Sequence, residues 1–193
     1  MRIGLYGGTF DPVHFGHLRA AENAREEMGL DLVAFLPSAV PPHRCAPLSA
    51  AADRLAMARL ATAAHPRFEA WDAELRRPGP SYTVETVSSL LAERPSDSFV
   101  LVVGADTWPE ITTWREPERL LSLVEVAVVD RPGYPGPGEE APFPGARGVT
   151  RVFGPSLPIS ATTIRERARQ GRSVRYLVPD AVADYITARR LYA

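Results

Sequence analysis

The stretch Gly7-Gly8-Thr9-Phe10-Asp11-Pro12-Val13-His14-Phe15-Gly16-His17, directly behind the apolar run 2–6, decides how this chain is read. Adjacent glycines let the backbone turn sharply and approach a ligand closely. Histidines three residues apart fall on one side of a helical turn. Strand, glycine turn and helix start, in that order, outline a phosphate site, because first-turn N–H groups and the helix dipole both favour an anion in front of the helix. With His14 and His17 added, that anion can be one that gains charge during a reaction. Taken singly, each feature has a plainer reading: a Gly-Gly pair is commonly a turn, and a histidine near a helix start is commonly a cap.

On the C-terminal side of this stretch, strand-length apolar runs alternate with helical patterns. The runs 3–7, 32–37, 68–75, 99–103, 124–129 and 149–153 read as strands. Between them Leu18, Ala21, Ala24 and Met28 share one helical face, Val84, Val87, Leu90 and Leu91 share another, and 53–64 is rich in alanine and leucine. Runs apolar on both faces suit a parallel sheet covered by helices on each side. The predicted fold is therefore α/β, doubly wound and Rossmann-like, with a mostly parallel sheet. In such sheets ligands sit beyond the carboxyl ends of the strands. The segment 132–148 is loaded with proline and glycine and reads as a long surface loop; helical segments follow at 160–169 and 180–190. The 193 residues read as a single domain, 1–193, with a C-terminal helical part from about 160.

Composition removes several function classes. The formal net charge is −1, so no overall basic field draws the protein to nucleic acid or anionic lipid, and neither partner is expected. All 22 basic residues are arginine. A phosphate loop of the G-K-[ST] type and a protein kinase each need a lysine, so neither is present in its usual form. One cysteine, Cys45, rules out an internal disulfide and suits a reducing compartment. There is no basic start followed by an apolar signal core, and no run approaches membrane-span length, so the expected location is the cytoplasm.

The string G-G-T-F-D-P-x-H-x-G-H resembles the signature of the nucleotidylyltransferase superfamily, whose mark is H-x-G-H after the first strand. Ile159-Ser160-Ala161-Thr162-Thr163-Ile164-Arg165 behind Pro158 resembles the I-S-S-T-x-I-R element of the same superfamily, with Ala161 where a second serine is usual. Ser160 alone would pass as an ordinary helix cap. Further matches narrow the likeness to the bacterial nicotinate-nucleotide adenylyltransferases: Pro41-Pro42-His43-Arg44, Ser81-Tyr82-Thr83-Val84-Glu85-Thr86, Gly104-Ala105-Asp106 with Trp114 ten residues after the glycine, and Asp130-Arg131-Pro132-Gly133.

That resemblance implies transfer of AMP from ATP to nicotinate mononucleotide, with release of pyrophosphate. His14, His17 and Arg165 are the implied catalytic residues. Gly8, Thr9, Phe10, Gly104, Asp106, Ser160, Thr162 and Ile164 join them around ATP, and His43, Arg44, Tyr82, Thr83, Trp114 and Arg131 around the acceptor. Mg²⁺ is expected to arrive with ATP, since Asp11 lacks the companion acids of a protein metal cage, and no zinc site is expected. Two alternatives stay open at this point, a phosphopantetheine or other small-molecule adenylyltransferase and a catalytically idle nucleotide sensor. Assembly into a homo-oligomer is also left open.

Overall fold

A computed structural model describes residues 1–40, 49–131, 133–134, 136 and 143–193. Six strands, β1 (Arg2–Gly8), β2 (Leu32–Pro37), β3 (Phe68–Ala70), β4 (Ser98–Gly104), β5 (Glu125–Val129) and β6 (Val149–Val152), form one sheet in the order β3-β2-β1-β4-β5-β6. Every pairing is parallel. Parallel strands cannot be joined by tight hairpins, so helices carry the crossovers. These are α1 (Phe15–Glu27), α2 (Ala51–Thr62), α3 (Thr83–Glu93) and α4 (Pro117–Leu123), followed after β6 by α5 (Ala161–Arg169) and α6 (Asp180–Ala188).

Strand alternation sorts the core into two layers. Val33, Phe35, Val100 and Val102 face one side, where Ala21 and Ala24 of α1, Met57 and Ala61 of α2, Ile164 of α5 and Ile186 of α6 cover them. Ile3, Leu5, Leu101 and Val126 face the other, under Val84, Val87 and Leu90 of α3 and Leu120 and Leu121 of α4. The expected doubly wound α/β fold is what forms. Because β2 and β4 lie on opposite sides of β1, the chain segments leaving β1 and β4 diverge, and a crevice opens at their carboxyl ends.

Two sequence expectations need correction. The run 68–75 is strand only over Phe68–Ala70. β3 is an edge strand whose last backbone bond to β2 runs from the Trp71 N–H to the Phe35 carbonyl, 2.9 Å, and the chain then turns so that Glu74 is buried. The stretch 105–123 carried no predicted element, yet it contains a 3₁₀ turn (Trp108–Thr113) and α4. Pro117 at the first turn of α4 and the buried pair Leu120 and Leu121 were the available signals. The described residues of 132–148 hold no helix or strand.

Leu120 is fully buried in the layer under α3. Leu120→Ala should lower unfolding free energy by about 2–5 kcal/mol, the usual penalty for a core leucine cavity. Urea denaturation measures it, and a loss below about 1 kcal/mol would show that α4 is not integral to that layer.

Candidate active site

The crevice is built first from the turn after β1. A Cβ at Gly8 would sit 3.0 Å from the Phe10 ring, tight enough that the ring would have to give way, and glycine leaves it room to fold back. Phe10 itself lies in the left-handed region, φ 49°, although its side chain is bulky. The ring holds it there: it is buried and packs edge-on against Tyr6 at 5.6 Å and His17 at 5.1 Å, and tilted against Phe35 at 5.5 Å. Beyond the turn, His14 caps α1 in an extended conformation.

His14 and His17 stack with ring centroids 3.7 Å apart and planes 21° from parallel. The His14 N–H points at His17 Nδ1, 3.3 Å. His17 Nδ1 is thus the acceptor nitrogen, which puts the ring proton of a neutral His17 on Nε2. His14 is 5% exposed. Burial, with the Arg131 cation adding to it, pushes its pKa down to about 4, so the ring is neutral at neutral pH. Its Nδ1 makes no hydrogen bond among the described residues.

Two further walls come from β4 and α5. At the end of β4, the Asp106 side chain folds back over Gly104, where any Cβ would collide with it, and pairs with Arg131 beyond β5. At α5, Ser160 is the cap, accepting from the Thr163 N–H at 3.2 Å. Arg165 donates to the Asp11 carbonyl at 2.8 Å and to Thr162 Oγ1 at 3.1 Å, so the C-terminal helix is tied to the turn after β1.

The fourth wall is the start of α3. Ser81 Oγ accepts from the Ala39 N–H at 2.9 Å, joining the segment after β2 to this helix. The Glu85 N–H already turns back to the Tyr82 carbonyl at 3.1 Å, while the N–H groups of Thr83 and Val84 stand at the open first turn of the helix. The Arg115 guanidinium lies 4.5 Å above the Tyr82 ring. Glu74 is buried behind them and accepts from Thr86 Oγ1 at 3.1 Å. Burial raises its pKa, and the hydroxyls of Ser81 and Thr86 and the Arg77 cation only partly offset that.

These walls enclose two hollows. The larger, about 550 Å³, brings together Gly8, Thr9, Phe10, His14, His17, Tyr82, Thr83, Gly104, Asp106, Trp114, Arg131, Ser160, Thr162 and Arg165. The smaller, about 300 Å³, lies between Asn23 of α1, Tyr134 and the segment 155–159. His14, His17, Asp106, Arg131, Ser160 and Tyr6 line both, so the histidine pair stands at the junction. Ile164 is placed differently from its neighbours: it is fully buried in the core and lines neither hollow. His43, Arg44 and Cys45 lie outside the described residues.

Sequence reasoning missed Arg54, Asn23 and Tyr192. Arg54, 1% exposed, donates to the carbonyls of Thr9 at 2.9 Å, Ser49 at 3.3 Å and Ala39 at 3.3 Å. Its position on one helical stripe with Ala58 and Ala61 was the signal available. Asn23 donates to the Pro155 carbonyl at 3.0 Å and fixes the edge of the smaller hollow.

A crevice at the switch point of a parallel sheet, with a glycine turn, a histidine pair and a capped helix start converging on it, defines a nucleotidyltransferase-type site. Residues 5–167 match the family described as cytidylyltransferase-like. A protein named probable nicotinate-nucleotide adenylyltransferase from Thermus thermophilus is 48% identical over all of both chains. Another of that name, from Herpetosiphon aurantiacus, is 42% identical over 99% of this chain and 98% of its own. A solved structure of the Plasmodium falciparum nicotinic acid mononucleotide adenylyltransferase complexed with NaAD shares the fold, with TM-score 0.81 at 17% identity, covering 99% of this chain and 97% of that one. The chain belongs to the nicotinate-nucleotide adenylyltransferase family within the cytidylyltransferase-like proteins.

His14 offers a direct check of the site's electrostatics. NMR titration of the unliganded protein should place its pKa near 4, against about 6.5 for an unhindered histidine. The unfolded chain takes up this proton near pH 6.5 and the folded protein only near 4. The stability linked to His14 is therefore intact above about pH 6.5 and is lost as pH falls toward 4. A measured value at or above 6.5 would mean that the ring is solvated.

Proposed function

We propose that the protein transfers the adenylyl group of ATP to nicotinate mononucleotide, giving nicotinate adenine dinucleotide and pyrophosphate. The observation that carries the reading is the histidine pair at the junction of two hollows, in a chain of this family. One hollow takes the nucleoside of ATP and the other the acceptor, so that their phosphates meet at His14 and His17. An oxygen of the acceptor 5′-phosphate attacks the α-phosphorus in line. The bond to the bridging oxygen breaks, and pyrophosphate leaves with the electron pair. Such a transfer needs no protein nucleophile; positioning and charge stabilisation supply the acceleration.

The residues divide the work accordingly. His17, with its proton on Nε2, and His14 sit where negative charge grows on the α-phosphate and the leaving group. Arg165 and the capped start of α5 offer charge and N–H groups to the β- and γ-phosphates. Mg²⁺ carried in with ATP would offset the charge of the triphosphate. On the acceptor side the pyridine ring stacks on Trp114 and its carboxylate meets N–H groups near Thr83. No helix among the described residues is long and apolar enough to cross a membrane, and we place the reaction in the cytoplasm.

Pyrophosphate release with each acceptor tests the reading. The acid mononucleotide should exceed its amide counterpart by about a hundredfold or more in kcat/KM, because the amide brings a donor to a site that offers donors. Equal use of both removes the carboxylate site; no turnover with either removes the functional assignment. His17→Ala should lower kcat about a hundredfold with little change in KM, the pattern of a donor acting in the transition state. A variant within threefold of the wild type would exclude His17 from that role.

A further inference from the structure

Tyr192 is remote in sequence from every motif of the cleft, yet its hydroxyl reaches Asp11, a residue that lines it. Arg190 at φ 50° and Tyr192 itself at φ 67° take the left-handed conformation that non-glycine residues rarely adopt, and this turns the chain back from α6. The helix it leaves is fastened to α2: the Tyr185 hydroxyl donates to Asp53 at 2.8 Å, and Arg189 pairs with the same carboxylate at 3.2 Å. The Tyr192 hydroxyl donates to Asp11 Oδ1 at 2.6 Å. Ser49 Oγ donates to the same oxygen, and the two hydroxyls are 3.3 Å apart.

We propose that Tyr192 is a positioning residue for the transfer, holding the Asp11 carboxylate and, through it, the glycine turn and Arg165 in the arrangement that receives the triphosphate. Asp11 is 4% exposed and lines the cleft. Its side chain takes the Tyr192 and Ser49 donors, while its backbone carbonyl takes Arg165. A shift of Asp11 therefore displaces the very guanidinium offered to the triphosphate. Two residues earlier, buried Arg54 restrains the Thr9 carbonyl, so the turn is held on both sides of Phe10 from two different elements. Burial and the neighbouring carboxylate push the Tyr192 phenol above its ordinary range, so it stays a donor at any working pH. In a reaction whose rate rests on placement rather than on covalent help, such a restraint acts on turnover.

This inference rests on the adenylyl-transfer reading, and the experiment separates the two. Tyr192→Phe keeps the ring and removes only the donor. Its kcat/KM for ATP should fall about tenfold, with the acceptor KM within about twofold and the melting temperature nearly unchanged. Ser49→Ala, which removes the other donor to the same oxygen, should act in the same direction. Tyr192→Phe combined with Asp11→Asn should be no slower than Asp11→Asn alone, because Tyr192 works through that carboxylate. Losses that multiply, or a lowered melting temperature with wild-type kinetics, would overturn the positioning role. Wild-type protein that binds ATP but turns over neither mononucleotide would overturn the functional reading instead. ATP affinity by calorimetry then decides this proposal: about a threefold or greater weakening in Tyr192→Phe is expected, and an unchanged affinity overturns it.

Discussion

The architecture of the cleft follows from the hydrogen bonding of β1 between two parallel neighbours. Tyr6 pairs with Phe35 on one side and Val102 on the other, so β1, β2 and β4 end at nearly one level. The helix after β1 packs on one layer of the core and the helix before β4 on the other. No chain can cover the gap between them. The glycine turn at that gap must be tight and must leave its N–H groups accessible, and it does so with a phenylalanine in the left-handed region. Such a conformation costs about 1–3 kcal/mol. Burial of the Phe10 ring among Tyr6, Phe35 and His17 offsets an amount of that order, at about 1.5–3 kcal/mol for a buried aromatic side chain.

Desolvation organises the groups around that turn. Arg54 loses hydration and regains it from three backbone carbonyls, so its charge serves as a clamp on loops far apart in sequence. Burial lowers its pKa, and the carboxylates of Asp11 and Glu74 oppose that shift. Glu74 is kept by hydroxyls of α3 and of the segment leading into it. His14, buried and facing the Arg131 cation, sheds its proton. Each of these three groups thus has a different solution to the same loss of water, and that of Arg54 fixes backbone bordering the cleft.

The pattern of strands, the parallel sheet and the approach of the glycine turn, the histidine pair and the Ser160 helix start to one crevice were legible in the sequence, because each rests on local periodicity or on turn chemistry. Legibility failed where tertiary contacts decide. β3 stops at Ala70 because an edge strand has one partner and the chain must turn to bury Glu74. α4 is seven residues long, too short for a periodic signal to rise above the surrounding prolines and glutamates. An arginine in an alanine-rich helix reads as a solvated charge until the carbonyls of Thr9, Ala39 and Ser49 are seen to converge on it. Ile164 shows the converse: a motif brought it to the site in sequence, and its helical position turns it into the core.

The shared wall between the two hollows has a thermodynamic consequence for the proposed reaction. A dinucleotide product joins in one molecule the two halves that entered separately. It can engage both hollows at once, while the mononucleotide acceptor engages one. Joining the halves removes one loss of translational and rotational freedom on binding, and the effective concentration of the second half against its hollow reaches the millimolar range for short linkages. The product would therefore be a tighter ligand than the mononucleotide acceptor alone, and as it accumulates it would hold the cleft against both substrates.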